Sequence, residues 1–262
     1  MGRGMLRSVA LGLAAMLAVG GCGRPPATAG RPAGGTAAPA RVLVLTRTAG
    51  FRHASIPDGV AALRALGREH GFTVDATADA GRISDPGLSG YKALVFLSTT
   101  GDVLDEAQQD ALRRWVLGGG GWVGIHAAAD AERGWPWYGE LLGTRFTGHP
   151  PLQRGLVRPE PGTLDLAGPL PAAWRRTDEW YNFRPDPRPR VRVLATVDEG
   201  SYRGGTMGAD HPIAWCHELG RGRAWYTAGG HTAASYAEPA FRAHLLAGVG
   251  YATGATAAAC NA

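Results

Sequence analysis

Eight histidines are the residues of this chain best suited to chemistry near neutral pH, and three stand where small neighbours let a ligand come close. His126 ends the apolar run Trp122-Val-Gly-Ile and precedes Ala127, Ala128, Ala129 and Asp130. That layout is a strand-to-helix turn that lifts one side chain clear of a sheet. Enzymes that pass through an acyl intermediate keep Ser or Cys at such a turn. An imidazole there suits proton transfer, hydrogen bonding to a ligand or metal ligation, unless it only caps the turn. His231 follows Gly229 and Gly230 and precedes Thr232, so backbone can approach a ligand beside it. His53 follows Gly50-Phe-Arg, either a segment that closes over a ligand or an ordinary entry to a helix. His149 and His211 each precede a proline, which holds them extended. His126, His149, His211 and His231 are candidate ligands of a divalent ion such as zinc, although no close His-x-x-x-His pair fixes them. His70, His217 and His244 carry no assigned role.

Carboxylates and aromatic rings supply the rest. Asp178-Glu-Trp-Tyr-Asn-Phe183 packs two acids, an amide and three rings into six residues. Ring faces beside carboxylates and amides suit carbohydrate, whose C–H faces stack while its hydroxyls need acceptors. The same composition also suits a strand with one buried aromatic side. Thr100, Asp102, Trp137, Tyr181, Asn182 and Tyr236 are the expected sugar contacts beside His53 and His231, and the chain's 8 Trp favour an aromatic cleft. The glycines at 118–121 precede a strand and do not join strand to helix, so they lack the geometry that cradles phosphate.

The elements that hold these residues read as alternating strands and helices. Arg41–Thr46 is a short continuous apolar run, the pattern of a strand buried on both faces; Tyr91–Leu97 reads as another buried strand, and Phe72–Ala76 and Trp122–His126 read as further strands. A helix begins at Ser55, Pro57 and Asp58 and ends at Gly71; another runs from about Asp105 to Leu117. This order implies right-handed crossovers and an open, mostly parallel α/β sheet with helices on both faces. Further on, Trp137–Leu142 reads as a helix, Gln153–Val157 and Arg192–Val197 as strands, Ile213–Glu218 and Arg223–Thr227 as a hairpin, and Pro239–Tyr251 as a closing helix. In such a sheet ligands bind beyond the carboxyl ends of the strands, the rim to which separate loops deliver His53, His126, Asp130 and His231.

Arg3 and Arg7 before the apolar stretch Val9–Val19 give residues 1–21 the form of an export signal, too short to span a bilayer permanently. Val19-Gly-Gly-Cys22 is similar to a bacterial lipobox, with Cys22 as the lipidated new N-terminus, membrane-anchored and facing outside; plain secretion is the alternative. Residues 22–40 read as a flexible tether and 255–262 as a disordered tail, leaving one domain at 41–254. The formal net charge is +5, but residues 1–40 hold Arg3, Arg7, Arg24 and Arg31 and no acid, so the domain is near neutral. Nucleic acid is therefore not an expected partner. Cys216 and Cys260 either pair or leave a buried free thiol.

These stretches resemble, in order, the trehalose-utilisation or ThuA-like family: Gly50–Ile56, Val95–Asp102, Gly119–Asp130, Trp135–Tyr138, Thr177–Phe183, Met207–Pro212 and Gly229–Thr232. The resemblance implies a class I glutamine amidotransferase-like fold, a flavodoxin-like three-layer sandwich. That superfamily's cysteine nucleophile corresponds to His126, so amide transfer is not implied. What is implied is a role with disaccharides or ketosugars, with a carbohydrate ligand. On that reading His126 is a general acid or base partnered by Asp130 or Glu179, while His53 and His231 hold the sugar or a divalent ion. A noncatalytic carbohydrate-binding module and a metal-dependent hydrolase are the competing classes.

Overall fold

Three stretches, Val42–Leu45, Ala93–Leu97 and Gly121–Ile125, are buried along their whole length, which only central strands with both faces covered can be. The computed structural model describes Met1 and residues 38–260. The expected signal segment at 1–21, most of the tether and Cys22 lie outside the described residues. The strands are β1 (Ala40–Leu45), β2 (Phe72–Thr77), β3 (Ala93–Leu97), β4 (Gly121–Ile125), β5 (Phe146–Gly148), β6 (Gln153–Pro159), β7 (Trp174–Asp178), β8 (Asn182–Phe183), β9 (Arg192–Asp198), β10 (Pro212–Leu219) and β11 (Gly222–Thr227). The helices are α1 (Ile56–His70), α2 (Asp85–Leu88), α3 (Glu106–Leu117), α4 (Pro136–Leu142), α5 (Leu164–Ala167), α6 (Ala233–Ala237) and α7 (Pro239–Thr253).

The main sheet has the order β2-β1-β3-β4-β11-β10-β9-β6-β7. The first five neighbours run parallel, and the pairings from β11 through to β7 are antiparallel. The open, mostly parallel sheet expected from the sequence is present, extended on one side by an antiparallel half. Successive β4 residues face opposite ways. A Cβ on Gly121 would strike Ala252 of α7, whereas Trp122 meets the Tyr138 ring of α4 at 5.8 Å, so helices cover both faces.

Local sequence accounts for the helices that frame the site. α1 buries Ile56, Ala62, Leu63 and Leu66 on one face, each large aliphatic side chain contributing about 1.5–3 kcal/mol, and stops at Gly71 with φ +78°. Ser55 at its start does not cap the helix; its hydroxyl donates to Gly230 O at 3.2 Å and ties the helix entry to the His231 loop. α3 begins with a capping box between Asp105 and Gln108. β5 and β8 pair as a separate two-stranded sheet that places the 179–181 segment beside His149.

Cys216 on β10 and Cys260 are joined in a disulfide with their Cα atoms 5.7 Å apart. Residues 255–260, expected as disordered tail, therefore end on a buried Cys260 fastened to the sheet, and the cross-link explains the difference. Six of the eight tryptophans also differ from the aromatic cleft expected of them. Trp122, Trp180, Trp215 and Trp225 are among the largest fully buried side chains, and Trp137 and Trp174 are buried beside them. These six are packed into the core, whereas Trp115 and Trp135 are partly buried against it.

Candidate functional site

The site begins at the carboxyl end of β4. His126 has φ +53°, a left-handed backbone uncommon for a residue with a side chain. Two tyrosines brace the turn: Tyr226 donates to His126 O at 2.9 Å and Tyr138 to Ala128 O at 2.7 Å. The His126 Nδ1 lies 2.8 Å from Ala228 O. A carbonyl only accepts, so Nδ1 carries the proton and Nε2 presents its lone pair.

Around that lone pair stand three other loops' side chains. His53 Nε2, from the loop after β1, is 3.2 Å away, and His231 Nδ1, from the loop after β11, is 3.3 Å away. Tyr181 donates its hydroxyl to Nε2 at 3.1 Å, and Glu179 Oε2 lies 3.5 Å from Nε2. Glu179 Oε2 is also 3.0 Å from His231 Nδ1. One donor atom from each of His53, His126, Glu179 and His231 lies within 4.8 Å of all the others.

The electrostatics follow from burial and crowding. Burial first, and then the neighbouring His126 and His231, push His53 down to about 3, so its ring is neutral at physiological pH. Burial alone would raise the Glu179 carboxyl, but its contacts with His126 and His231 and the charges of His231 and His149 outweigh it and hold the group ionised. Its hydrogen bond to Glu179 raises His231 in turn. Neutral imidazoles and an ionised carboxylate are the forms that bind a cation. His53 Nδ1 is buried with no hydrogen-bond partner. Three ring nitrogens facing one another around a carboxylate suit a shared cation better than they suit one another.

One carboxylate positions two of these four groups. Asp178, 0% exposed, accepts from the backbone N–H of Gly230 at 2.9 Å, of His231 at 3.1 Å and of Glu179 at 3.0 Å. Its counter-ion is the buried Arg176, 2.9 Å away and also bonded to the Ser235 hydroxyl. Gly230 lies at φ +120°, and a Cβ there would come within 2.8 Å of the Tyr236 hydroxyl, so the tight approach requires glycine.

A cavity of about 230 Å³ opens onto the cluster. Its walls include His53, Thr100, Asp130, Glu179, Tyr181 and His231 among the residues expected from sequence, together with His149. Phe51, Ala127 and Phe146, not singled out as contacts, complete the lining. His126 itself is fully buried behind the others and does not line the cavity. That position disagrees with direct proton exchange between His126 and a substrate and agrees with a ligand or a fixed base for the cluster. Asp130 is paired with Arg133, leaving Glu179 as the acid against His126. His149 Nε2 is 3.6 Å from Glu179 Oε2, and its ring stacks on Tyr181.

Several expected contacts sit elsewhere. His211 is buried with Nδ1 at 2.8 Å from Glu199 and Nε2 at 2.8 Å from Tyr181 O, so both nitrogens are engaged outside the cluster and it is no member of it. Asn182 bonds Gly204 O and Thr206 N. Asp102 faces Gly134 N, while Trp137 and Tyr236 belong to the core. A larger groove of about 500 Å³ lies along β7 by Arg154, Arg175 and Arg176, but no imidazole lines it, so the chemistry belongs to the smaller cavity.

The site makes two predictions. His53 titrates at about 3 when folded and near 6.5 when unfolded, so its contribution to stability is complete above pH about 6.5 and is lost as pH falls toward 3. His231 is shifted the opposite way, its contribution lost as pH rises. Urea midpoints of the metal-free protein from pH 7 to 4 should therefore fall less in H53Q than in the parent; equal slopes contradict the assignment. D178N removes the nearer of the two carboxylates beside the buried Arg176, leaving Glu238 at 3.8 Å, and aims an amide at backbone N–H groups. It should cost about 3–5 kcal/mol in urea unfolding and roughly 10–100-fold in zinc affinity by chelator competition below its unfolding midpoint. Unchanged zinc affinity in folded D178N contradicts the positioning role.

Comparison with known proteins agrees with this architecture. The structure superposes on a ThuA-like protein from Bacteroides uniformis with a TM-score of 0.71 and 26% identity, covering 85% of this chain and 95% of that one. A ThuA-like protein from Parabacteroides merdae gives a TM-score of 0.68 at 20% identity over 83% of this chain and 91% of that one. A β-galactosidase from Bacillus circulans sp. alkalophilus shares the fold at a TM-score of 0.55 and 15% identity, the match covering 82% of this chain and 31% of the enzyme. A search of curated protein sequences gave no match. The family described as ThuA, trehalose utilisation, matches residues 41–252. With that match spanning most of its length, the chain belongs to the ThuA trehalose-utilisation family.

Proposed function

We propose that this protein acts on a disaccharide or ketosugar at a divalent metal centre held by His53, His126, His231 and Glu179. Family membership suggests a role related to trehalose utilisation. The observation that carries the metal reading is the convergence of three imidazole nitrogens and one carboxylate oxygen within 4.8 Å. The donor set fits zinc or a similar borderline ion, and the His126 Nδ1–H bond to Ala228 O is the outer support that orients a ligating imidazole. When bound, such an ion supplies Lewis acidity toward a sugar carbonyl or hydroxyl.

The chain's own residues supply the remaining functions. Tyr181 and Phe146 form an apolar wall, with ring centroids 4.4 Å apart, that accepts the C–H face of a sugar and excludes water. Asp130 and Thr100 offer oxygen acceptors to hydroxyls within the same cavity. His149 stands at the rim, 34% exposed and next to Glu179, where it can hold or pass a proton between the cavity and solvent. A metal-free acid–base pair is the second reading, favoured by the 3.0 Å contact of His231 with Glu179.

Elemental analysis and turnover decide between them. Protein equilibrated with zinc and desalted should retain about one equivalent and convert trehalose or a ketosugar derivative to product detectable by chromatography. H126A should lose at least about 100-fold in zinc affinity and its turnover. Full turnover after chelation favours the metal-free pair, and sugar binding without any product marks a noncatalytic module.

The proposed setting is the outer face of a membrane, with Cys22 lipidated. Its support is the leader sequence and a buried Cys216–Cys260 disulfide, a bond that persists in oxidising compartments. In a bacterial host the native chain should sediment with membranes and C22S should not. Equal distribution of the two contradicts the anchor.

A further inference from the structure

Phe51 is 68% exposed, and among the described residues no other Phe, Tyr or Trp is left so open to solvent. Isolated exposed apolar side chains are common, yet this one lies on the lip of the cavity, its ring edge-on to His53 with centroids 4.8 Å apart. The backbone beneath it is pinned. The Thr100 hydroxyl donates to Phe51 O at 2.8 Å, and Thr100 O accepts from Ala49 N at 2.8 Å and Gly50 N at 3.3 Å. A Cβ on Gly50 would come within 3.2 Å of Thr100 Oγ1, so the sequence keeps a glycine where the loop presses against its support. A large apolar ring is thus held out into water by a fixed frame at the mouth of the cavity.

We propose that Phe51 is the platform of a second sugar subsite, so that the protein recognises glycosides of at least two units. This rests on the carbohydrate reading above and names the residue that receives the second unit of its disaccharide arm. The cavity of about 230 Å³ is smaller than the roughly 300–1,000 Å³ of pockets that enclose drug-sized ligands, which leaves room for one monosaccharide unit inside. A unit joined to it emerges at the lip, where the Phe51 face receives its C–H surface. The partly exposed Asp130 carboxylate lies along the same cavity and accepts from hydroxyls of either unit. One ring among polar neighbours is too small an apolar patch for a protein partner and matches a single pyranose face.

The test is calorimetric titration of the zinc-loaded full chain with trehalose and with methyl α-glucoside, read as the ratio of the two affinities. The parent should favour trehalose by roughly three- to tenfold, the range an aromatic contact supplies. F51A and F51L, the second keeping apolar bulk without a flat ring, should bring the ratio near one, and F51W should keep it. A parent ratio near one, or an unchanged ratio in F51A and F51L, overturns the platform and leaves the carbohydrate reading standing. Absence of binding by either sugar overturns that reading and the subsite with it.

Discussion

The hydrogen bond from His126 Nδ1–H to Ala228 O fixes what the rest of the site can be. It joins the ends of two neighbouring parallel strands, β4 and β11, and decides the tautomer of a ring with no solvent contact. With Nδ1 committed to a carbonyl, Nε2 is an acceptor facing His53, His231, Tyr181 and Glu179. The left-handed backbone at His126 is the strain by which the ring reaches that position, and Tyr226 and Tyr138 hold it there. Free rotation of the ring would scatter the cluster without altering the fold.

The two halves of the sheet contribute differently. The parallel half delivers imidazoles, since the loops after β1, β4 and β11 all leave the same edge. The antiparallel half delivers the acid: β7 ends at Asp178, and the next residue is Glu179. Asp178 binds the N–H groups of Gly230, His231 and Glu179, so a single buried charge closes one half of the site against the other. Arg176 makes that charge tolerable in the interior while its guanidinium packs on Trp174 and Phe241, at 4.5 and 4.4 Å from their centroids.

Much of this was legible in the sequence, for physical reasons that also explain the gaps. Buried parallel strands read as continuous apolar runs, and the loops at their carboxyl ends are a fixed place to look, so His53, His126 and His231 stood out. Glu179 was legible only as an alternative to Asp130 for the partner of His126. Its pairing with His126 depends on long-range antiparallel connections that local pattern does not encode. The tryptophans misled because a ring that can stack on sugar fills a core equally well, and burial decides between the two uses. His149 and His211 share a His-Pro context, yet one faces the cavity and the other is buried between Glu199 and the Tyr181 carbonyl. Phe51 was visible as a neighbour of His53, but its exposure is a property of the folded loop.

Diffraction from crystals soaked in zinc, measured on both sides of the zinc absorption edge, tests the central claim most directly. The account predicts one anomalous peak at bonding distance, about 2.0–2.2 Å, from His53 Nε2, His126 Nε2, His231 Nδ1 and Glu179 Oε2. A difference map with no peak among those atoms at saturating zinc, or with its peak on other residues, contradicts it.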